Sequence, residues 1–528
     1  MIELKVRKIA VAAGVACLAL LSLVLYPLRA KAQETRWSSP IQLSSPGAPA
    51  WFPDVVSDPS GTIHVAWAGG DTEFDQVLYR RYSSDSGWSE INDLAAFPIV
   101  RGESAATRPA LMADDELLHI TYTNYDSVYY SNAPLLDALS AAAWQEATIV
   151  DGDQTSYFSR VVRDSRGDLH LVYTENTPQT GCQQCYHLYY MRSSDQAQSW
   201  EGPMDISISP IGAAKPQIVV GPDDVLHVVW ESGYGGGLGQ VRDPTQVLYA
   251  SSADHGDSWT APVVLSSENA ENENARNVTI GVDGRGALLT VWANQLEQVV
   301  YYRVSRDNGR TWSQAQPVPG LFGGWTVYQQ RLDDFTLAED SAGNLHLVVV
   351  GRRLLEQTGL DLLHVVWDGN GWSTPAVVAS YAEDVPEWPR LDVNLGNQLE
   401  LVWFVRGAKN LNNSDAGDFS VFYAERTVDA PATSPAAITP LPGADANTSS
   451  DITDKSSAVE TPGQVEPVTP LLTVEAPKDT LRNAIFGQQI TTENDEVVLL
   501  VLALAPVLLV LGAIAVYRRM HLRSERQP

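Results

Sequence analysis

The chain has 528 residues, with 64 Asp and Glu against 35 Lys and Arg and a formal net charge of −29. The charge is sorted along it: residues 1–32 carry +4 and residues 518–528 carry +3, which leaves −36 on residues 33–517. A body so acidic excludes nucleic acid and anionic lipid as its partners and suits an exposed surface able to attract cations.

Residues 1–32 read as an export signal. Lys5, Arg7 and Lys8 precede an apolar run over 9–25, and Ala30-Lys31-Ala32 is a cleavage site that would leave Gln33 as the new N-terminus. A retained anchor is the alternative, because the run approaches bilayer length. Cys17 is not read as a lipidation site, since Gly14 stands where such sites prefer Leu.

From residue 53 a repeat sets in. The stretch Ile63-His64-Val65-Ala66-Trp67 returns as Leu118-His119-Ile120-Thr121-Tyr122, Leu169-His170-Leu171-Val172-Tyr173, Leu226-His227-Val228-Val229-Trp230 and Leu345-His346-Leu347-Val348-Val349. Residues 289–292 and 400–403 hold the same place without His. Each stretch follows a turn such as Asp58-Pro59-Ser60-Gly61 and precedes a second strand such as Val247-Leu248-Tyr249-Ala250. Seven units begin near Pro53, Pro109, Arg160, Pro216, Arg276, Phe335 and Pro389.

The units share a turn word, Ser-x-Asp-x-Gly-x-x-Trp. It is complete at 252–259 and 305–312, carries Ala197 for Gly at 193–200, and is shortened at 83–88 and 368–372. The chemistry is that of a self-satisfied turn: a Ser or Asp oxygen takes backbone N–H groups, Gly supplies positive φ, and Trp packs beneath. Asp85, Asp195, Asp254, Asp307, Trp259 and Trp312 are therefore expected to be structural. Units of about fifty residues, each four short strands with no helix, predict an all-β, seven-bladed β-propeller over 33–427, with six blades as the alternative. The seventh unit ends at Arg426 without an outer strand, and residues 37–43 at the start can supply it and close the ring.

Cys182 and Cys185, in a loop of the third unit, suggest a local disulfide in an exported chain. Two thiols are too few for zinc, and a redox motif would need a helix absent from this pattern. Residues 428–496, rich in Pro, Thr, Ser, Ala and acids, read as a disordered stalk. Residues 497–517 are uncharged and apolar, long enough to span a bilayer, and Arg518, Arg519, Arg523 and Arg526 follow. Positive flanks stay in the cytoplasm, so the expected arrangement is a single-pass membrane protein with its propeller outside and residues 518–528 as a cytoplasmic tail.

Function in a propeller gathers on the face where inner strands begin and second strands end. There Arg108, Arg160, Lys215, Arg276, Arg331 and Arg390 precede or open the inner strands, and Arg108, Arg160, Lys215 and Arg390 share one parity. A cation ring suits carboxylate or sulfate groups. The competing reading pairs each cation with an acid such as Asp153, Asp334 or Asp392. Asp71, Asp126, Glu175, Glu231 and Arg406 follow the second strands, with Trp325, Tyr328 and Trp388 on nearby loops and a Gly-rich insertion at 234–239. Rings beside carboxylates are what a sugar site uses. The recurring His64, His119, His170, His227 and His346 sit one per unit at equal register, which marks packing positions and no metal set.

The turn word resembles the Asp-box (BNR) repeat of sialidases and related propellers, over residues 37–426. That resemblance implies a propeller. In sialidases it would imply three arginines for the substrate carboxylate, a Tyr–Glu nucleophile pair and an Asp acid/base, with the first arginine in a Phe/Tyr-Arg-Ile/Leu-Pro motif. Here that region reads Trp51-Phe52-Pro53-Asp54, without Arg, and the units number seven where the family has six. No catalytic role transfers, and Tyr328, Glu231 and Asp71 stand only as candidate nucleophile, base and acid. The expected function is a non-catalytic, monomeric extracellular propeller that binds a glycan or a cell-surface protein, with no cofactor assigned and calcium left open. An exo-glycosidase of sialidase type is the alternative, and a purely architectural surface protein the third.

Overall fold

The computed structural model describes residues 36–438, apart from 71–72, 99–106, 125–126, 151–153, 179–184, 209–211, 234–244, 267–273, 324–333 and 409–418. The segments read as signal, most of the stalk, span and tail lie outside the described residues. Among the described residues no helix is long and apolar enough to cross a membrane, and the helices are three short 3-10 turns.

The rest is antiparallel sheet. A short strand β1 (Ile41–Gln42) precedes the first unit, which is β2 (Ala50–Ser57), β3 (Ile63–Gly70) and β4 (Phe74–Ser83) with a split edge, β5 (Gly87–Trp88) and β6 (Asn92–Pro98). The second unit is β7 (Ala110–Ala113), β8 (Leu117–Asn124), β9 (Ser127–Pro134) and β10 (Thr148–Ile149). The third is β11 (Ser156–Arg163), β12 (Leu169–Asn176), β13 (Tyr186–Ser193) and β14 (Glu201–Asp205). The fourth is β15 (Ala213–Val220), β16 (Leu226–Ser232), β17 (Val247–Ser252) and β18 (Val263–Val264). The fifth is β19 (Ala275–Val282), β20 (Leu288–Asn294), β21 (Val299–Ser305) and β22 (Gln316–Gly323). The sixth is β23 (Thr336–Glu339), β24 (Leu345–Arg352), β25 (Leu360–Trp367) and β26 (Ala376–Tyr381), joined to the fifth through β22 and β24. The last is β27 (Val385–Asn394), β28 (Gln398–Arg406) and β29 (Phe419–Thr427).

The arrangement is propeller-like. Each unit runs as a meander, and the innermost strands pack on one another in the cyclic order β2, β7, β11, β15, β19, β23, β27 and back to β2. The strand β1 lies on the outer edge of the last unit, with Ile41 opposite Tyr423 and Gln42 opposite Phe422. One apolar cluster spans that seam, combining Leu43, Phe52, Val65 and Trp67 with Val402, Phe404, Val421 and Tyr423.

Second strands are covered on both faces, so Trp67, Trp230, Trp292 and Trp403 are fully buried. Double coverage also explains why these strands read as continuous apolar runs interrupted by His. In the first, second and sixth units the buried His is bonded at both ends: His64 Nδ1 lies 2.6 Å from Tyr79 Oη and its Nε2 3.2 Å from Asp58. His119 repeats this with Tyr130 and Asp114 at 2.6 and 3.1 Å. In the sixth unit His346 uses His364 at 2.9 Å and Asp340 at 3.0 Å.

The turn words behave as their chemistry demands. Asp254 Oδ1 accepts the Ser252 hydroxyl at 2.7 Å and the Ser258 N–H at 2.9 Å, while Ser252 Oγ accepts the Gly256 N–H at 2.8 Å. Asp195 and Asp307 make the same set. Their tryptophans lock neighbouring units, Trp259 edge-on to Tyr190 at 5.0 Å and Trp312 edge-on to Tyr249 at 5.1 Å. Asp85 departs from the expectation: the shortened turn is bridged by Ser83 and Ser86 hydroxyls 2.6 Å apart, and Asp85 is exposed at its tip.

The stalk boundary also needs correction. Residues 428–438 do not leave the ring at 427 but strap across the face formed by the first-to-second-strand turns. Val428 and Ala430 are buried, the Thr433 N–H donates to Leu395 and the Ala436 N–H to Pro59, and Ile438 packs against the second unit's core. A composition poor in large apolar residues concealed this, because the strap is held largely through its backbone.

Candidate functional site

At the opposite end of the channel, where inner strands begin, the units share a local device. The register slips between Trp51 and Asp54, Tyr157 and Arg160, Ala214 and Gln217, Arg276 and Thr279, and Glu387 and Arg390. Each slip is a bulge whose central residue takes a left-handed backbone: Phe52 (φ 51°), Phe158 (54°), Lys215 (50°), Asn277 (56°) and Trp388 (56°). Three of these precede a proline, which has no N–H to give the ladder and so tolerates the break. Bulky residues at positive φ are strained by ~1–3 kcal/mol apiece.

The bulges turn their side chains into the channel. Phe158 of the third unit stacks on Trp388 of the last at 6.1 Å, across the lumen, and Phe52 meets Trp388 edge-on at 5.1 Å. The Arg108 guanidinium lies 4.4 Å from the Phe52 ring centre and 4.8 Å from that of Phe158, and Arg390 lies 4.3 Å over Trp388. Such placement is favourable for a desolvated cation. Burial, with Tyr157 and Tyr186 opposing it, brings the Arg108 pKa down to about 10.

Below this layer the cations meet acids. Arg160 pairs with Asp54 at 3.5 Å, and Arg390 reaches fully buried Asp334 at 2.9 Å and Asp54 at 3.9 Å. Gln217 donates to Asp334 at 3.0 Å, so units one, three, four, six and seven share one polar network. Burial and the neighbouring Arg390 charge lower the Arg160 pKa to about 10 as well. Lys215 stands 3.6 Å from Glu231 and 3.5 Å from Asn277, and Arg276 donates to Asn274 at 3.0 Å.

The expected ring of open cations is thus corrected. Arg108, Arg160 and Arg390 do converge, but as a compensated cluster, because removing so many charges from water demands partners, and Lys215 pairs apart from them with Glu231. Arg276, expected as a ligand-binding residue, is fully buried. Of the competing acids, Asp334 does pair with Arg390, whereas Asp392 takes the Ser57 N–H and hydroxyl. Glu231 is fully buried, accepts the Asn277 N–H at 2.5 Å and faces Lys215, so it cannot serve as a base at an open site. Trp388 is a buried wall at 3% exposure, not an exposed platform. Arg406 pairs with Glu387 at 2.7 Å. Asp71, Asp126, Asp153, Trp325, Tyr328, Arg331, the insertion at 234–239 and Cys182 lie outside the described residues; Cys185 is disulfide-bonded. Phe52, Phe158 and Asp54 were missed, although their X-Pro and aromatic neighbours at one place in each unit could have signalled the bulge.

No protein-family model and no curated protein matches the chain. Among solved structures it is similar to a PL25 ulvan lyase at 10% identity and a TM-score of 0.48, over 74% of this chain and 95% of that one. It is also similar to the NanB sialidase of Streptococcus pneumoniae at 12% and 0.44, over 75% and 71%. A third, a protein of unknown function from Dyadobacter fermentans, aligns at 13% and 0.44, over 74% and 99%. The propeller-like reading rests on this chain's own strand pairing.

Proposed function

We propose that the chain is an exported, membrane-anchored, seven-bladed propeller, sealed by β1, that binds an anionic glycan or protein ligand at the strand-start mouth of its channel without chemistry. The observation that carries this is the repeated bulge: five units hold a residue at positive φ at one register position, and strain so placed is maintained where side chains must be presented. The half-buried Phe158 ring, packed against Trp388 and Arg108, offers exposed apolar surface to a pyranose or an apolar side chain. Arg160, 15% exposed along its side chain and weakened as an acid-paired cation by burial, gains from a carboxylate or sulfate beside it. The burial of Glu231 counts against the hydrolase reading.

Binding of the full-length protein in detergent to an array of uronic, sulfated and sialylated glycans tests this. Phe158→Ala and Arg160→Gln should each weaken binding at least tenfold while circular dichroism shows both variants folded at the assay temperature, with Arg160→Gln melting lower because Asp54 loses its pair. Equal binding by both variants removes the mouth from consideration, and turnover of a fluorogenic sialoside overturns the binding-only reading.

A further inference from the structure

On the other face, the third unit departs from the His–Tyr–acid arrangement of its neighbours. His170 Nδ1 lies 2.7 Å from Tyr190 Oη, as expected. That hydroxyl also approaches the His255 carbonyl at 3.3 Å, an oxygen that Arg192 serves as well. His170 Nε2 is fully buried and stands 3.4 Å from Asp164 Oδ2, farther than the 3.0–3.2 Å of the matching contacts of His64, His119 and His346 and too poorly aligned for a good hydrogen bond.

Further donors converge on the same point. Asp164 Oδ1 is occupied by the Arg166 and Asp168 N–H groups at 3.0 and 2.9 Å, which aims Oδ2 outward from the turn. His255, in the turn word of the fourth unit, brings Nδ1 to 3.0 Å from that oxygen. Its backbone is fixed because Arg192 also donates to its carbonyl at 3.0 Å. Asp224 is held by the Ser165 N–H at 3.0 Å and hydroxyl at 2.5 Å. Ligand atoms of Asp164, Asp224 and His255 lie within 4.8 Å of one another.

We infer that Asp164, Asp224 and His255 form a binding site for a divalent first-row transition ion, best suited to zinc, which His170 Nε2 beside Asp164 completes by moving toward the ion. Two imidazole nitrogens and two carboxylate oxygens are a zinc donor set, and bonds of ~2.0–2.2 Å put tetrahedral ligands roughly 3.4 Å apart. The 3.4 Å separation of His170 Nε2 from Asp164 Oδ2 matches that spacing, His255 Nδ1 at 3.0 Å must withdraw by a few tenths of an ångström, and Asp224 stands beside them on an exposed turn. The hydrogen bond between His170 and Tyr190 supplies the outer contact that orients a ligating imidazole. The exposed Arg166 guanidinium lies against His255 Nε2, which keeps the His255 proton on Nδ1 when no ion is bound. The ion therefore displaces that proton, and Arg166 competes with it. The site stitches the third unit to the fourth beside a cavity of about 840 Å³ that residues 433–436 help to wall.

The test is calorimetric titration of chelator-treated full-length protein in detergent with zinc chloride, and cobalt(II) substitution read by visible absorption. One equivalent should bind, with cobalt bands of tetrahedral intensity. Asp224→Asn and His255→Ala should each weaken affinity at least tenfold, Arg166→Ala should tighten it, and His187→Ala, elsewhere in the third unit, should leave it unchanged. Asp224→Asn alters an exposed turn and keeps the test open should His255→Ala fail to fold. Absence of a stoichiometric site, or equal affinity in wild type and Asp224→Asn, overturns the assignment.

Discussion

Glu400 occupies in the last unit the place that His holds elsewhere, and replacing it by Gln should stabilise the protein at alkaline but not at acidic pH. The Tyr423 hydroxyl lies 2.5 Å from Glu400 Oε2 and 2.9 Å from Glu425 Oε2. One phenolic proton cannot serve two carboxylates, so a second proton on Glu400 completes the set. Burial, with Glu425 adding to it and the Tyr423 bond opposing it, raises the Glu400 pKa from 4.5 to about 7. The folded value lies above the unfolded one, so the contribution of this proton is complete below 4.5 and is lost as pH rises through about 7. That displacement is worth about 3 kcal/mol. With unfolding entropy near 2.1 cal/mol/K per residue, a ring of roughly 390 residues turns this into a melting shift of about 4 °C. Glutamine mimics the protonated acid at every pH. Scanning calorimetry should find Glu400→Gln about equal to wild type at pH 5 and about 4 °C higher at pH 8. Equal differences at both pH values would refute the reasoning.

A Cβ at Gly309 would sit 1.7 Å from Tyr249 Oη on a backbone at φ +77°, whereas Gly87 at φ +71° has nothing within 4 Å; Gly309→Ala should therefore cost at least twice the ~1 kcal/mol of Gly87→Ala in denaturant melts. Arg390→Met removes the 2.9 Å pair to fully buried Asp334 and should cost ~3–5 kcal/mol, read by urea unfolding, with an unchanged midpoint counting against the network. Ending the chain at residue 427 uncovers the turns that bond Thr433 and Ala436 and should lower the melting temperature by a few degrees relative to a chain ending at 438. Equal melting would mean that the strap adds nothing.

The sequence made the units legible because their signals are local. A turn word and a His flanked by apolar residues depend on near neighbours, and even the acid six residues before His64, His170 and His346 is readable once its role is known. The site was less legible for two physical reasons. A bulge inserts a residue into the inner strand, so a strict period of two does not tell which side chain enters the channel. The partners are also remote in the chain: Asp54 meets Arg160 across 106 positions and Arg390 meets Asp334 across 56. Cations read in isolation looked like an open ring, whereas folding brings Arg160, Lys215 and Arg390 an acid and Arg108 a set of aromatic rings.

The buried His position then separates packing from function. In the fourth unit the turn offers Gly221, where a Cβ would stand 2.6 Å from His227 Nε2, and burial lowers the His227 pKa to about 4. In the fifth unit Leu289 fills the place, and in the last Glu400 does. The blade core thus tolerates a paired His, a neutral His, an aliphatic chain or an acid, so no single chemistry is required for folding there. A place so tolerant has no structural reason to collect extra donors. The third unit collects them nonetheless, bringing Asp224 and His255 of the fourth unit to Asp164, with His170 Nε2 3.4 Å away from the same carboxylate. An excess of ligands where packing needs none is what distinguishes a site from a core, and the same reasoning sets the strained bulges at the opposite mouth apart from the unstrained strands that carry them.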